Sequence, residues 1–122
     1  MLWLANGESI DAQARDAIAS GKLYISPITA WEIANLTRKN RIALTMPVAA
    51  WLRQAITAID ADLPQLSVEI LVESCALPGK PPDDPADRIV IATARQHGLT
   101  IVTRDAAILR YADAGHARAM RC

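Results

Sequence analysis

Hydrophobic positions along this chain recur with two different periods. A spacing of three to four residues predicts helices, with prolines or glycines marking their ends, and short β-branched runs predict strands. Helices are predicted over residues 11–20, 28–38, 46–59, 69–77, 87–97 and 105–112. Strands are predicted over residues 22–26, 99–103 and 116–120, and residues 65–68 are a further short candidate.

Strands that alternate with helices of about ten residues predict an α/β fold with a mainly parallel sheet. The sequence contains no fixed-period repeat, low-complexity tract or internal linker. The chain has 122 residues, of which 52% are hydrophobic. A chain of this size buries roughly two thirds of the surface that its unfolded form exposes, which is enough for one core. We therefore expect residues 1–122 to form a single domain.

Charge and cysteine content narrow the choice of function. The 13 Lys and Arg residues balance 13 Asp and Glu residues, so the protein cannot coat nucleic acid by bulk charge. A local basic region or bound metal ions would still allow it to hold RNA. The sequence shows no signal-like leader and no apolar run of the ~20 residues that a membrane helix needs. We expect a cytoplasmic protein that has no membrane partner, with Cys75 and Cys122 as free thiols.

Three acidic residues, Glu32, Asp87 and Asp105, lie near predicted strand-to-helix junctions. In open α/β sheets such junctions gather at the carboxyl edge of the strands. The helix from Asp87 advances about 15 Å at ~1.5 Å per residue. The strand that follows returns about 16 Å at ~3.3 Å per residue. Asp87 and Asp105 are therefore predicted to face each other at one edge of the sheet.

The spacing of neighbouring residues predicts that these carboxylates point inward. Asp87 continues an apolar stripe through Val90 and Ile91, and Glu32 shares a stripe with Ile28. Carboxylates that are gathered where burial is costly repel one another, and a divalent cation offsets the repulsion. Ligands that are all oxygen atoms favour Mg²⁺ or Mn²⁺ over zinc.

Each acid also has a purely structural interpretation. Asp87 and Asp105 lie in first turns of helices, where the helix dipole favours negative charge, and Asp105 suits an N-cap. Asp84, just before Pro85, is expected to cap the helix that contains Asp87. In the same structural interpretation, Glu32 lies on a helix face that is exposed to solvent.

Aromatic and basic residues give two further expectations. Trp3, Trp31 and Trp51 fall on apolar helical stripes and are expected in the core. The basic cluster of Arg38, Lys39 and Arg41 is typical of a solvated face. Beside an acidic metal site, however, such a cluster would hold a phosphate backbone.

Four sequence blocks together resemble the PIN-domain toxins of the VapC type. They are residues 25–33 (ISPITAWEI), 77–78 (LP), 84–94 (DPADRIVIATA) and 99–105 (LTIVTRD), and the similarity runs from Leu2 to about Tyr111. The order of the Trp-Glu-Ile, Asp-Pro-x-Asp-Arg and Val-Thr-x-Asp motifs is far more specific than any one of them.

The resemblance implies a three-layer α/β/α fold and a Mg²⁺- or Mn²⁺-dependent endoribonuclease that a cognate antitoxin neutralises. Glu32, Asp87 and Asp105 match acidic metal ligands of that family. Thr103 matches a hydroxyl beside them, and Arg88 matches a frequent Asp-Arg position. We expect Thr103, Arg88 and Arg38 to contact the RNA substrate.

The resemblance also implies a homodimer. Apolar surface for pairing would come from residues on the 28–38 and 46–59 segments and between them. These residues are Leu36, Ile42, Leu44, Trp51 and Leu52.

The sequence departs from the family pattern at its beginning. VapC-type toxins usually open with a strand that ends in an aspartate and leads into a helix containing Leu-Trp-Leu. Here Leu2-Trp3-Leu4 already stands at the start. We expect either that the native gene begins upstream of Met1 or that a strand from elsewhere fills the place of the first strand. The alternative function is a non-catalytic, truncated PIN-like module that binds an antitoxin or associates with itself.

Overall fold

A computed structural model describes residues 22–122 of the chain. The predicted helix over residues 11–20 and the predicted core position of Trp3 lie outside the described residues. The elements are α1 (Ile28–Arg38), α2 (Val48–Ala58), α3 (Val68–Ser74), α4 (Pro85–His97), β1 (Ile101–Thr103), α5 (Ala106–Asp113) and β2 (Ala119–Arg121).

The two strands form a parallel sheet, which confirms the predicted α/β fold. Ile101 pairs with Ala119 and Thr103 pairs with Arg121, and α5 makes the connection between the strands. A parallel pair requires such a crossover, because the chain must return to the same end of the sheet before it re-enters. The carboxyl end of β1 therefore leads directly into the N-terminus of α5.

The predicted strand over residues 22–26 is reduced to one parallel bridge between Tyr24 and Asp62. The N–H of Ile25 donates to the Asp62 carbonyl at 2.9 Å, and the N–H of Asp62 donates to the Leu23 carbonyl at 3.0 Å. The next bond of this ladder would need an N–H at position 64, which is proline. Because proline has no N–H to donate, the pairing ends there.

The candidate strand over residues 65–68 is wrong, because these residues lead into α3. The hydroxyl of Ser67 accepts a hydrogen bond from the N–H of Ile70 at 3.2 Å and caps the helix at Val68. A serine N-cap satisfies one of the free amides of the first turn and so favours the helix over an extended strand.

The core lies where α3, α4, α5 and β1 meet. Ile70, Ile91 and Ile108 are at most 1% exposed, and Leu77 and Tyr111 belong to the same cluster. Each large aliphatic side chain buried there stabilises the fold by about 1.5 to 3 kcal/mol. Since α4 and β1 both belong to this cluster, their ends are held at fixed positions.

Trp31 is not a core residue, because 58% of its surface is exposed. The face of α1 turned toward the protein contains Thr29, Glu32 and Ile33, and Trp31 lies on the other side with Ala34. Both faces of the helix contain apolar residues, so the hydrophobic period alone predicted the wrong face to be buried.

Trp51 is partly buried, in partial agreement with its predicted core position. Leu52 is 5% exposed and belongs to the fold's interior, so it offers no surface for a dimer. Ile42 and Leu44 are partly buried as well.

Both cysteines are free, as predicted. Within residues 22–122, no helix has both the length and the apolar character that crossing a bilayer requires.

Candidate active site

Asp84 shapes the N-terminus of α4. Its Oδ1 accepts a hydrogen bond from the N–H of Asp87 at 3.0 Å, and Pro85 occupies the first turn. An aspartate cap followed by proline is a strong local signal for a helix start. The predicted capping role of Asp84 is therefore confirmed. The cap also fixes the first turn, which carries the half-buried side chain of Asp87.

Asp105 caps α5 in the same manner. Its Oδ1 accepts hydrogen bonds from the N–H groups of Ala107 at 2.8 Å and Ile108 at 3.0 Å. The N–H of Asp105 itself donates to the Thr103 hydroxyl at 3.0 Å. Thr103 is fully buried in β1. The end of the strand and the start of the helix together orient this carboxylate.

The structure brings Asp87 and Asp105 together, as the path lengths along α4 and β1 predict. Burial first, and then the charges of Asp105, Asp84 and Glu32, raise the pKa of Asp87 to about 7. A hydrogen bond between Asp87 and Asp105 adds to this increase in the pKa, because it favours the protonated Asp87 carboxyl. With a pKa of about 7, the Asp87 carboxyl is therefore protonated for part of the time near neutral pH.

Glu32 joins this group from α1. Burial raises the pKa of Glu32, and the charges of Asp84 and Asp105 raise it further. Glu32 has no helix to cap, since it lies in the middle of α1. We call Glu32, Asp84, Asp87 and Asp105 the acidic cluster. Four acids from three helix segments thus interact electrostatically at the carboxyl end of β1.

Comparison with known proteins assigns the family. The sequence model of the PIN domain matches residues 1–114. The chain belongs to the PIN-domain family. It is also similar to Ribonuclease VapC22 of Mycobacterium tuberculosis (strain ATCC 25618 / H37Rv), with 34% identity over 104 residues, which cover 84% of this chain and 78% of that protein. No solved structure matches the chain. The predicted resemblance to VapC-type PIN proteins is confirmed.

The donor chemistry of this PIN domain suits a hard divalent cation. All four groups of the acidic cluster are carboxylates, which Mg²⁺ and Mn²⁺ prefer. Their mutual repulsion is relieved when a cation binds between them. Among residues 22–122, however, no three His, Cys, Asp or Glu side chains lie as close together as a shared ion requires. The cluster matches a metal site in its chemistry, but its side chains do not form a closed ligand set.

The three residues expected to contact substrate occupy different positions in this PIN domain. Thr103 has no exposed surface, so we assign it to positioning Asp105 and withdraw the expected substrate contact. Arg88 donates from Nε to the Pro82 carbonyl at 2.7 Å and braces the loop before α4. Arg38 is exposed at the end of α1 and donates to Oδ1 of Asn35 at 2.7 Å.

A groove next to the acidic cluster escaped the sequence analysis. It has a volume of about 690 Å³, and its lining includes Asp83, Asp84, Asp87, Lys80 and Arg110. The groove lies between the 79–84 segment and α5, and the Tyr111 hydroxyl of α5 donates to the Pro78 carbonyl just before that segment. Residues 78 and 111 are far apart in the sequence, so no local motif predicts this arrangement. The available sequence signal was the spacing of Ala107, Arg110 and Ala114, which places three groove residues on one face of a helix.

Proposed function

We propose that this PIN-domain protein is a Mg²⁺- or Mn²⁺-dependent endoribonuclease and the toxin of a toxin–antitoxin pair. The observation that carries the proposal is the acidic cluster, whose burial and like charges raise the pKa of Asp87 to about 7. A protein keeps such mutually repelling acids at one place at a cost in stability, and catalytic sites are where such costs are typically found. Similarity to Ribonuclease VapC22 supports the reaction class.

Glu32, Asp87 and Asp105 are the residues proposed to hold the ion. A bound divalent ion would supply Lewis-acid chemistry, neutralising charge on the phosphodiester and lowering the pKa of an attacking water. The protein's own contribution is positional. Asp84 sets the direction of the first turn of α4, and Thr103 with the amides of α5 orients Asp105.

RNA as substrate, a cognate antitoxin, a homodimer and a cytoplasmic location complete the proposal. The support for them is membership in the PIN-domain family and the similarity to a VapC ribonuclease. Arg38, exposed at the end of α1, is proposed to contact the RNA backbone. Light scattering at tens of micromolar protein tests the homodimer, and a monomeric mass would contradict it.

The test of the reaction is RNA cleavage by the purified protein with Mg²⁺ or Mn²⁺ and with excess EDTA. Glu32→Gln removes one charge of the cluster and keeps the shape of the side chain. Glu69→Gln makes the same change at an exposed acid of α3 and serves as the control. We expect EDTA and Glu32→Gln each to lower the rate by about 100-fold or more, while Glu69→Gln keeps wild-type activity. Cleavage that persists in EDTA or survives Glu32→Gln would contradict the proposal.

The second candidate function is a non-catalytic PIN-like module that binds an antitoxin or associates with itself. The open spacing of the acids favours it, because no three acidic, His or Cys side chains of residues 22–122 are close enough to share an ion. The same assay separates the two functions. A folded protein that binds its partner but leaves RNA intact with either metal would support the non-catalytic module.

A further inference from the structure

The residue just after β2 contacts the junction between β1 and α5. The N–H of Cys122 donates to the Thr103 carbonyl at 3.3 Å, and Nε of Arg104 donates to the main-chain oxygen of Cys122 at 3.1 Å. Cys122 is only 7% exposed. These two bonds join Cys122 to the two consecutive residues that precede Asp105, one of the acids of the acidic cluster.

The parallel ladder accounts for the first of these bonds but not for the second. Thr103 pairs with Arg121, and in a parallel pair the carbonyl of a residue accepts from the N–H that follows its partner, here that of Cys122. If the ladder continued, the N–H of Asp105 would donate to the main-chain oxygen of Cys122. It donates instead to the Thr103 hydroxyl, and the side chain of Arg104 takes its place on Cys122.

This exchange of donors lets the chain leave the sheet at Asp105. With its N–H turned to the Thr103 hydroxyl, Asp105 caps α5, and its Oδ1 accepts from two amides of the helix. A buried acceptor without a donor is costly, so without Arg104 the main-chain oxygen of Cys122 would compete for the N–H of Asp105. A return of that N–H to the ladder would turn the Asp105 carboxylate away from its present direction.

We propose that Arg104 is a positioning residue, which holds Cys122 on the β1–α5 junction and thereby fixes the direction of the Asp105 carboxylate. Its consequence for metal binding rests on the proposed function, in which Asp105 is a ligand of the divalent ion. Residues that orient a metal ligand without binding the metal change metal affinity by about 10- to 100-fold when they are replaced. Arg104 is therefore expected to influence the acidic cluster through Asp105.

The sign of the effect on metal binding distinguishes this role from a simple effect of charge. Arg104 is adjacent to Asp105 in the sequence, and a positive charge near a cation site repels the cation. Removal of the charge alone would therefore strengthen Mn²⁺ binding, whereas loss of the positioning contact would weaken it.

The test variant is Arg104→Met, which removes the guanidinium, and the control is Arg118→Met. Arg118 donates to the Gly98 carbonyl at 2.7 Å. It therefore also ties the β2 segment to a main-chain oxygen, but beside the amino end of β1 rather than the end that leads to Asp105. If Arg104→Met does not fold, Arg104→Lys replaces it with the same expected direction, because lysine keeps the charge but has no nitrogen at the Nε position.

The first measurement is amide hydrogen exchange by NMR in the metal-free protein. The N–H groups of Ala107 and Ile108 bond to the Asp105 carboxylate, so their exchange reports its direction. We expect both amides to exchange at least about 10-fold faster in Arg104→Met and at the wild-type rate in the control. The amide of Ile91, in the buried part of α4, should keep its wild-type rate. An equal acceleration at Ile91 would overturn the positioning role, because Arg104 would then only stabilise the fold as a whole.

Thiol labelling in EDTA reports whether Cys122 stays on the junction. Cys122 is buried, whereas Cys75 is exposed. In Arg104→Met we expect Cys122 to react at least about 10-fold faster than in the wild type, because opening of the segment gives the reagent access. Cys75 should react at the wild-type rate. Unchanged protection of Cys122 in Arg104→Met would contradict the contact.

Mn²⁺ titration by calorimetry tests the consequence for the acidic cluster. We expect Arg104→Met to bind Mn²⁺ at least about 10-fold more weakly than the wild type, and Arg118→Met to match the wild type. Equal or tighter Mn²⁺ binding by Arg104→Met, or the same loss in both variants, would overturn the positioning role.

The metal-free measurements separate this inference from the proposed function. If the wild type binds no Mn²⁺ and leaves RNA intact, while exchange at Ala107 and Ile108 responds to Arg104→Met as expected, the ribonuclease proposal fails and the positioning role stands. If the wild type cuts RNA and these two amides exchange at the wild-type rate in Arg104→Met, the positioning role fails and the ribonuclease proposal stands.

Discussion

Replacing Asp87 by asparagine is expected to stabilise the protein without metal at alkaline pH. The pKa of Asp87 is about 7, whereas an unperturbed aspartate has a pKa of ~3.9. A raised pKa means that the folded state favours the protonated carboxyl. The stability that this proton provides is fully present below pH ~3.9 and is lost as the pH rises through about 7. An asparagine side chain cannot ionise, so the Asp87→Asn variant avoids this loss.

The magnitude follows from the pKa and the exposure of the side chain. A pKa unit corresponds to about 1.36 kcal/mol, so the full difference would be about 4 kcal/mol. Asp87 is only half-buried, and solvent screening reduces the effect to about 1 to 2 kcal/mol. For a domain of this size the melting temperature would rise by roughly 4 to 8 °C. The asparagine amide can still donate a hydrogen bond to Asp105, so the packing need not change.

The assay is thermal unfolding in EDTA at pH 5 and pH 8, with wild type, Asp87→Asn and Asp83→Asn compared. Asp83 is exposed and four residues away, so its substitution should change stability by less than about 0.5 kcal/mol at both pH values. The stabilisation by Asp87→Asn should be larger at pH 8 than at pH 5. A lower melting temperature for Asp87→Asn at pH 8, or an equal change at both pH values, would refute the reasoning.

Three further predictions concern stability. Mn²⁺ at about 100 times its Kd should add about 2.7 kcal/mol to the free energy of unfolding of the wild type, and a melting temperature unchanged by Mn²⁺ would contradict this. Gly79→Ala should cost about 1 to 3 kcal/mol more than Gly115→Ala in denaturant unfolding. Both glycines have positive φ angles, but only at position 79 would a Cβ overlap a side chain, the His116 ring. Thr103→Val should cost about 1 to 3 kcal/mol, because the partly buried N–H of Asp105 at the α5 cap loses its acceptor, whereas exposed Thr100→Val should be nearly neutral.

Local signals in the sequence were sufficient to predict the helices that carry the acidic residues. The Asp84-Pro85 start and the Gly98 end of α4 both match the structure, in which Gly98 adopts the left-handed conformation with φ 65°. Caps and left-handed glycines depend on a few neighbouring atoms, so sequence alone predicts them. The proximity of Asp87 to Asp105 could also be predicted, because a helix and a strand of known rise per residue connect them.

Features that depend on distant partners could not be predicted. The strand proposed for residues 22–26 ends after one bridge because its partner segment runs into Pro64. Trp31 lies on an apolar stripe, yet the buried face of α1 contains Thr29 instead. Thr103 was expected to meet the substrate, but the packing around β1 encloses it. In each case, tertiary contacts decided between alternatives that the local sequence left equivalent.

The acidic cluster as a divalent-metal site is the central claim, and Mn²⁺ titration by calorimetry at pH 6.5 tests it most directly. Wild type and Asp83→Asn should bind Mn²⁺ and release part of one proton, because Asp87, with a pKa of about 7, is largely protonated at that pH and must ionise to bind. Titrations in two buffers of different ionisation enthalpy measure the released proton. Asp87→Asn should bind more weakly and release no proton from this position. Absence of Mn²⁺ binding by the wild type, or equal affinity and proton release in Asp87→Asn, would contradict the assignment.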